Sequence, residues 1–154
     1  MTAHDIAREL LRQLSADVTI RSAAIDIYGE PPRFYLDDDD PDDGAPHVIA
    51  TPEGSEGGLG PDAIHTVSLA VSARDFEGEG TAPDVERGSD GTRFLIPASE
   101  RLDRLAAAVW DAIPAATPGA ILDGRSADWA FTGYQPLRFA VFTLTYRLIK
   151  SFGD

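Results

Sequence analysis

The stretch that most constrains the fold runs from Arg101 to Ile113. Leu102, Leu105, Ala106, Val109, Trp110 and Ile113 recur there at spacings of three and four, the period of one helical face. Arg101, Asp103, Arg104 and Asp111 fill the other side, so the spacing predicts an amphipathic helix lying on a sheet rather than one buried all round. Two strand-like runs supply that sheet. From His65 to Asp75 the residues His65, Val67, Leu69, Val71 and Ala73 alternate with Thr66, Ser68, Ala70, Ser72 and Arg74, the two-residue period of a strand with one buried face. Leu137 to Ile149 is a long closing strand in which Phe142, Leu144, Tyr146 and Leu148 alternate with Val141, Thr143, Thr145 and Arg147.

The remaining elements are weaker. Ala3 to Leu14 reads as a helix with a narrow stripe (Ile6, Leu10, Leu14, with Ala3 and Ala7 alongside), capped by Thr2 with Asp5 three residues on, and it is expected to dock at the edge of the core. The β-branched and aromatic residues of Ala24 to Tyr28 predict a first strand, ended by Gly29-Glu30-Pro31-Pro32. His47 to Thr51 predicts a short strand, Ser99 a cap for the central helix, and Asp128 to Thr132 another strand. The expected fold class is α+β: a mostly antiparallel sheet with two helices packed on one face and long acidic loops. A single domain covering residues 1–154 is expected, with mobile loops near 37–46, 52–63 and 76–93.

Charge narrows the function classes. The chain has 26 acidic and 13 basic residues, a formal net charge of -13, and such a surface repels phosphate backbones and anionic membranes. A single lysine against 12 arginines and 18 aspartates against 8 glutamates fit either a GC-rich genome or a cytoplasm at high salt. No cysteine is present, which excludes disulfides and thiolate chemistry. No apolar run approaches the ~20 residues that span a bilayer, and Asp5 and Glu9 stand where a signal peptide is basic and then apolar.

Six aspartates, Asp37, Asp38, Asp39, Asp40, Asp42 and Asp43, invite calcium, because hard cations take several carboxylate oxygens. The EF-hand pattern fails: with Gly44 as the turn glycine, Pro41 takes a ligand position and Ala50 the twelfth. A solvated acidic loop is the ordinary reading. The histidines His4, His47 and His65 lack His-Glu-x-x-His spacing; two of them meeting over zinc competes with the commoner edge-of-strand histidine. The glycines from Gly54 to Gly60 match no phosphate-binding loop, and there is no G-x-S-x-G. No cofactor, metal site or catalytic residue is therefore assigned.

The order of these elements, with Pro46 and Pro52 flanking the short strand and a strong strand opening on histidine (His65 to Asp75), a long loop, a helix ending in proline and an aromatic-rich closing strand, resembles the tail terminator or tail completion proteins of long-tailed bacteriophages and related archaeal viruses. The resemblance is one of pattern and length over nearly the whole chain. It implies a non-enzymatic virion protein, assembled in the host cytoplasm, whose homo-hexameric ring ends tail-tube polymerisation and joins the tail to the head connector or adaptor. DNA would pass through without tight binding. On that resemblance Asp37 to Asp43 becomes a candidate lumen or rim loop, and Phe76, Glu77, Glu79, Asp84, Glu86, Arg87, Asp90 and Arg93 a candidate arm for a neighbouring subunit or the tube. Another neck or head-completion protein, a monomeric calcium- or partner-binding acidic module, and a small hydrolase or transferase are the rival readings.

Overall fold

Helix α1 (Ala3–Ser15) begins where local chemistry makes it begin. In a computed structural model of the chain, which describes residues 1–37, 46–57, 63–74, 85–87, 89–91, 93–95, 98–128 and 137–149, Thr2 and Asp5 form a full capping box. The Thr2 N–H donates to Asp5 Oδ2 at 2.8 Å and the Asp5 N–H to Thr2 Oγ1 at 3.3 Å, which satisfies two donors that a helix start otherwise leaves bare. That backbone hydrogen bond from Thr2 holds the Asp5 carboxyl below its ordinary value. Leu11 joins Ile6, Leu10 and Leu14, with Ala3 and Ala7 alongside as expected, in a buried inward stripe, and α1 lies across β1 (Arg33–Leu36), β2 (His47–Glu56) and β3 (Ile64–Arg74). It is a principal layer of the core, not an edge element.

The strand expected at Ala24 to Tyr28 is instead the end of a second helix, α2 (Val18–Tyr28). Its ends decide the matter. The Asp17 carboxylate accepts from the Ile20 N–H at 2.9 Å, and Gly29, at φ 81°, closes the C-terminus with its N–H on the Ile25 carbonyl; a left-handed residue there favours glycine. Ile20 and Ala24, one helical turn apart, face the core, while Val18 and Ile25 remain exposed. These β-branched residues suggest a strand only because strand propensity is mostly a preference for a half-buried surface. The described residues thus hold three helices, not two, and α2 packs chiefly on α3 (Ala98–Ala112). Because α3 begins at Ala98, Ser99 falls inside its first turn rather than capping it.

The remaining strands are β4 (Val85–Arg87), β5 (Arg93–Leu95), β6 (Ala116–Thr117), β7 (Ala120–Asp128) and β8 (Leu137–Leu148). Six of the eight form one mixed sheet in the order β1-β2-β3-β8-β7-β6, in which β1 and β2 run parallel and every other pair is antiparallel. The α+β class and the two strong strands stand as read. The other boundaries move. Strand β2 runs on to Glu56 through a bulge between Pro52 and Gly54, so residues 52–56 belong to the sheet and not to a loop. Of the strand expected at Asp128 to Thr132 only Asp128 is described, as the last residue of β7, and residues 129–136 lie outside the described ones. Residues 85–87 and 93, expected as loop, belong to a separate two-stranded hairpin of 85–87 with 93–95.

One face of the sheet carries Val48, Ala50, Val67, Leu69, Val71, Ala140, Phe142, Leu144 and Tyr146, which merge with the inward residues of all three helices into one apolar cluster. Trp110 of α3 meets Phe142 edge-on, with ring centroids 5.0 Å apart. Arg125 of β7 then stacks its guanidinium 4.0 Å from the Trp110 ring centre and donates to the Trp110 carbonyl at 2.9 Å. A cation on one of the last carbonyls of a helix complements the negative end of its dipole.

Candidate functional site

Of the aspartate run only Asp37 is described. It ends β1 at φ 55°, a left-handed conformation that aspartate tolerates better than most residues, and its N–H donates to the Ala50 carbonyl of β2 at 2.9 Å. Asp37, the first residue of the run, therefore stands at the end of the edge strand β1. Asp38, Asp39, Asp40, Asp42 and Asp43 lie outside the described residues, as do Phe76, Glu77, Glu79 and Asp84. Glu86 and Arg87 are on β4, Asp90 is in the turn after it and Arg93 opens β5, with Arg87 and Arg93 directly opposed in register. Four of the arm positions are thus gathered on one small hairpin.

The two strand histidines do not come together. His47 pairs with Ser72, on the sheet face away from the helices, where its ring lies 5.6 Å from that of Tyr35. His65 is at the other end of β3, on the helix-facing side. A shared zinc between them is ruled out by this geometry, and among the described residues no group of three His, Asp or Glu side chains is placed to hold a metal.

His65 instead forms a polar row under the sheet that the sequence did not reveal. Its Nδ1 lies 2.6 Å from Ser55 Oγ, and Tyr146 is its register partner on β8. His65 and Tyr146 are both fully buried, and among the described residues His65 Nε2 and Tyr146 Oη have no hydrogen-bond partner. The bulge in β2 creates this contact. Before it, Thr51 pairs with Ser68; continued unbroken, that register would set Ser55 opposite Ile64 on the outer face, whereas one extra residue sets it opposite His65 on the inner one. Burial lowers the pKa of His65 and raises that of Tyr146 to about 12. In both cases the charged form is the one penalised.

As chemistry, the row is half of a nucleophile and base pair. Ser55 is exposed and touches a histidine, yet that histidine is a weakened base and no third group orients its far nitrogen. For Tyr146 the consequence is a prediction. Its phenol keeps its proton in the folded state up to about pH 12 but in the unfolded chain only to about pH 10, so stability is fully present below pH 10 and falls between pH 10 and 12 by up to roughly 2 to 3 kcal/mol. Tyr146→Phe is expected to lessen that alkaline loss and to cost little or nothing at neutral pH, since it removes a buried hydroxyl without a partner. Chemical denaturation at pH 7 and pH 11 measures both effects.

Among the described residues β1 has a neighbour only on its β2 side, and β7 is paired by β6 only at Ala120 and Ile121, which leaves Asp123 to Asp128 bonded on the β8 side alone. A bulge at Asp123 and the 3.0 Å contact between Asp123 and Arg147 give part of this edge the irregularity and charge that discourage indiscriminate pairing. Charge is unevenly distributed along the chain. The described residues hold 15 of the 26 acidic side chains and 12 of the 13 basic ones, so they stand at -3 and the remaining segments at -10. No helix among the described residues is long and apolar enough to cross a membrane. No family model matches the chain, and no curated protein matches it.

Proposed function

We propose that the chain is a structural virion protein of the tail terminator kind, a subunit of a homo-hexameric ring that ends tail-tube polymerisation and faces the head connector. The observation that carries this reading is that, among the described residues, the sheet has an unpaired edge at each end, β1 on one side and residues 123–128 of β7 on the other. Two different edges of one sheet can meet only head to tail, and head-to-tail contacts repeat until they close a ring or run on as a filament. A protein whose framework is close to charge balance, with its acidity in the connecting segments, also suits a ring that DNA traverses: like charge repels the phosphate backbone, while the framework surfaces meet without the full repulsion of the chain's -13. The hairpin of β4 and β5, with Glu86, Arg87, Asp90 and Arg93, is the arm assigned to a neighbour or the tube.

The test of the role is capping. Added to tail-tube protein from the same genome during polymerisation, the chain is expected to shorten the tubes and to co-sediment at their ends. Tubes of unchanged length that bind none of it would reject the role. Binding to portal or adaptor protein in place of tube would transfer it to the other neck proteins.

A further inference from the structure

We infer that His65 is a proton-operated latch at the closed end of the β2–β3 hairpin: neutral, it stays docked under the sheet against Ser55; protonated, it is expelled, and the end of the hairpin parts while the middle of the sheet holds. The inference does not depend on the assembly reading.

The geometry places a titratable ring where only its neutral form is accommodated. His65 is fully enclosed although it is the second residue of β3, held at Nδ1 by Ser55 of β2 and flanked on β8 by Tyr146. Helix α1, which packs on β3, turns only Ala3, Ile6, Ala7, Leu10, Leu11 and Leu14 inward. Leu122 of β7 completes the row beyond Tyr146. Burial opposes the charged form of the ring, and among the described residues no carboxylate acts on it to offset that. Protonation makes both ring nitrogens donors. Ser55 Oγ can accept from Nδ1, but whichever nitrogen held the proton in the neutral ring, the imidazolium leaves at Nε2 a buried N–H and a share of positive charge with no anion among the described residues to meet it. Leaving is the inexpensive escape because His65 is near a strand end: beyond the Ser55–His65 pair only Glu56–Ile64 remains on the hairpin, and Ser55, Glu56 and Ile64 are already exposed.

Amide hydrogen exchange by NMR on the full chain tests this at pH 7.5 and pH 5.5, with intrinsic rates corrected. In the open state His65 titrates near the ordinary histidine value, so the opening equilibrium across residues 54–56 and 64–66 is expected to rise at the lower pH, by up to about tenfold where the docked ring stays neutral throughout. Amides of Leu69 and Phe142, in the middle of the ladder, are expected not to change. His65→Gln, which keeps a donor and an acceptor but cannot ionise, is expected to remove the pH effect. Unchanged protection at the hairpin end, or an equal loss in His65→Gln, overturns the latch. Should that variant fail to fold, the carbon-bound ring protons of wild-type His65 decide: titration well below the ordinary histidine range, with the Ser55 and Thr66 amide shifts tracking it, supports the latch, and titration at the ordinary value overturns it.

Discussion

Replacing Phe142 by alanine is expected to cost about 3 to 5 kcal/mol, the range for emptying a large aromatic site in a packed core. Phe142 is fully buried in the central antiparallel pair, with Leu69 opposite it on β3 and Ala127 on β7. Its ring also meets Trp110 edge-on, an arrangement worth about 0.5 to 1.5 kcal/mol beyond the area buried. Trp110 of the helix and Leu69 of the neighbouring strand pack against this site, so the hole left by Phe142 can close only in part. In a chain of 154 residues the loss corresponds to a fall in Tm of roughly 10 °C. Thr143→Ala, one residue on and exposed, is the control and should stay within about 0.5 kcal/mol. Thermal and urea unfolding of the two variants decides it; a loss below about 1 kcal/mol for Phe142→Ala would mean that α3 does not rest on β8 as described.

The second large effect is expected at Leu10. It is fully buried at the centre of the α1 stripe, over β2 and β3, and truncation to alanine should cost about 2 to 5 kcal/mol. Ile25→Ala makes the contrast. Ile25 has the more strand-like side chain, but it is on the exposed side of α2 and should cost under about 1 kcal/mol. Equal losses at the two positions would contradict both the depth of α1 and the helical reading of residues 18–28.

These two helices show where the sequence is legible. The period-four stripe of α3 and the period-two alternation of β3 and β8 were unambiguous because each is long, and because tertiary packing and local preference agree in them. In α2 they conflict. Ile25, Ile27 and Tyr28 look like a strand, and the caps at Asp17 and Gly29, which are the deciding signals, occupy single positions easily passed over. Pro52 and Gly54 read as loop residues for a sound reason, since both weaken a strand; they are in β2 because the bulge between them absorbs the irregularity. The same bulge hid the polar row. Ser55 and His65 are ten residues apart with nothing in either neighbourhood to mark them, and only the extra residue brings them to the same face. No periodicity argument counts that residue.

The acidity, the strongest compositional signal, takes on a different meaning once it is located. A cytoplasm at high salt would spread acidic side chains over every exposed surface. Here α1 pairs its acids with Arg8 and Arg12, and α3 pairs Glu100 with Arg104, so the helices are close to balance and the excess falls in the connecting segments. That pattern favours a local purpose for the charge, as in the lumen of a ring, over a general adaptation to salt.

Assembly through the two sheet edges is the central claim, and absolute mass in solution by light scattering, at low and at molar salt, tests it most directly. The account predicts a six-fold species of about 99 kDa, six times the 16.5 kDa chain, growing in proportion as salt screens the acidic segments, and seen as a ring in negative stain. A monomer at every salt concentration that also stays monomeric with tube protein present would contradict it.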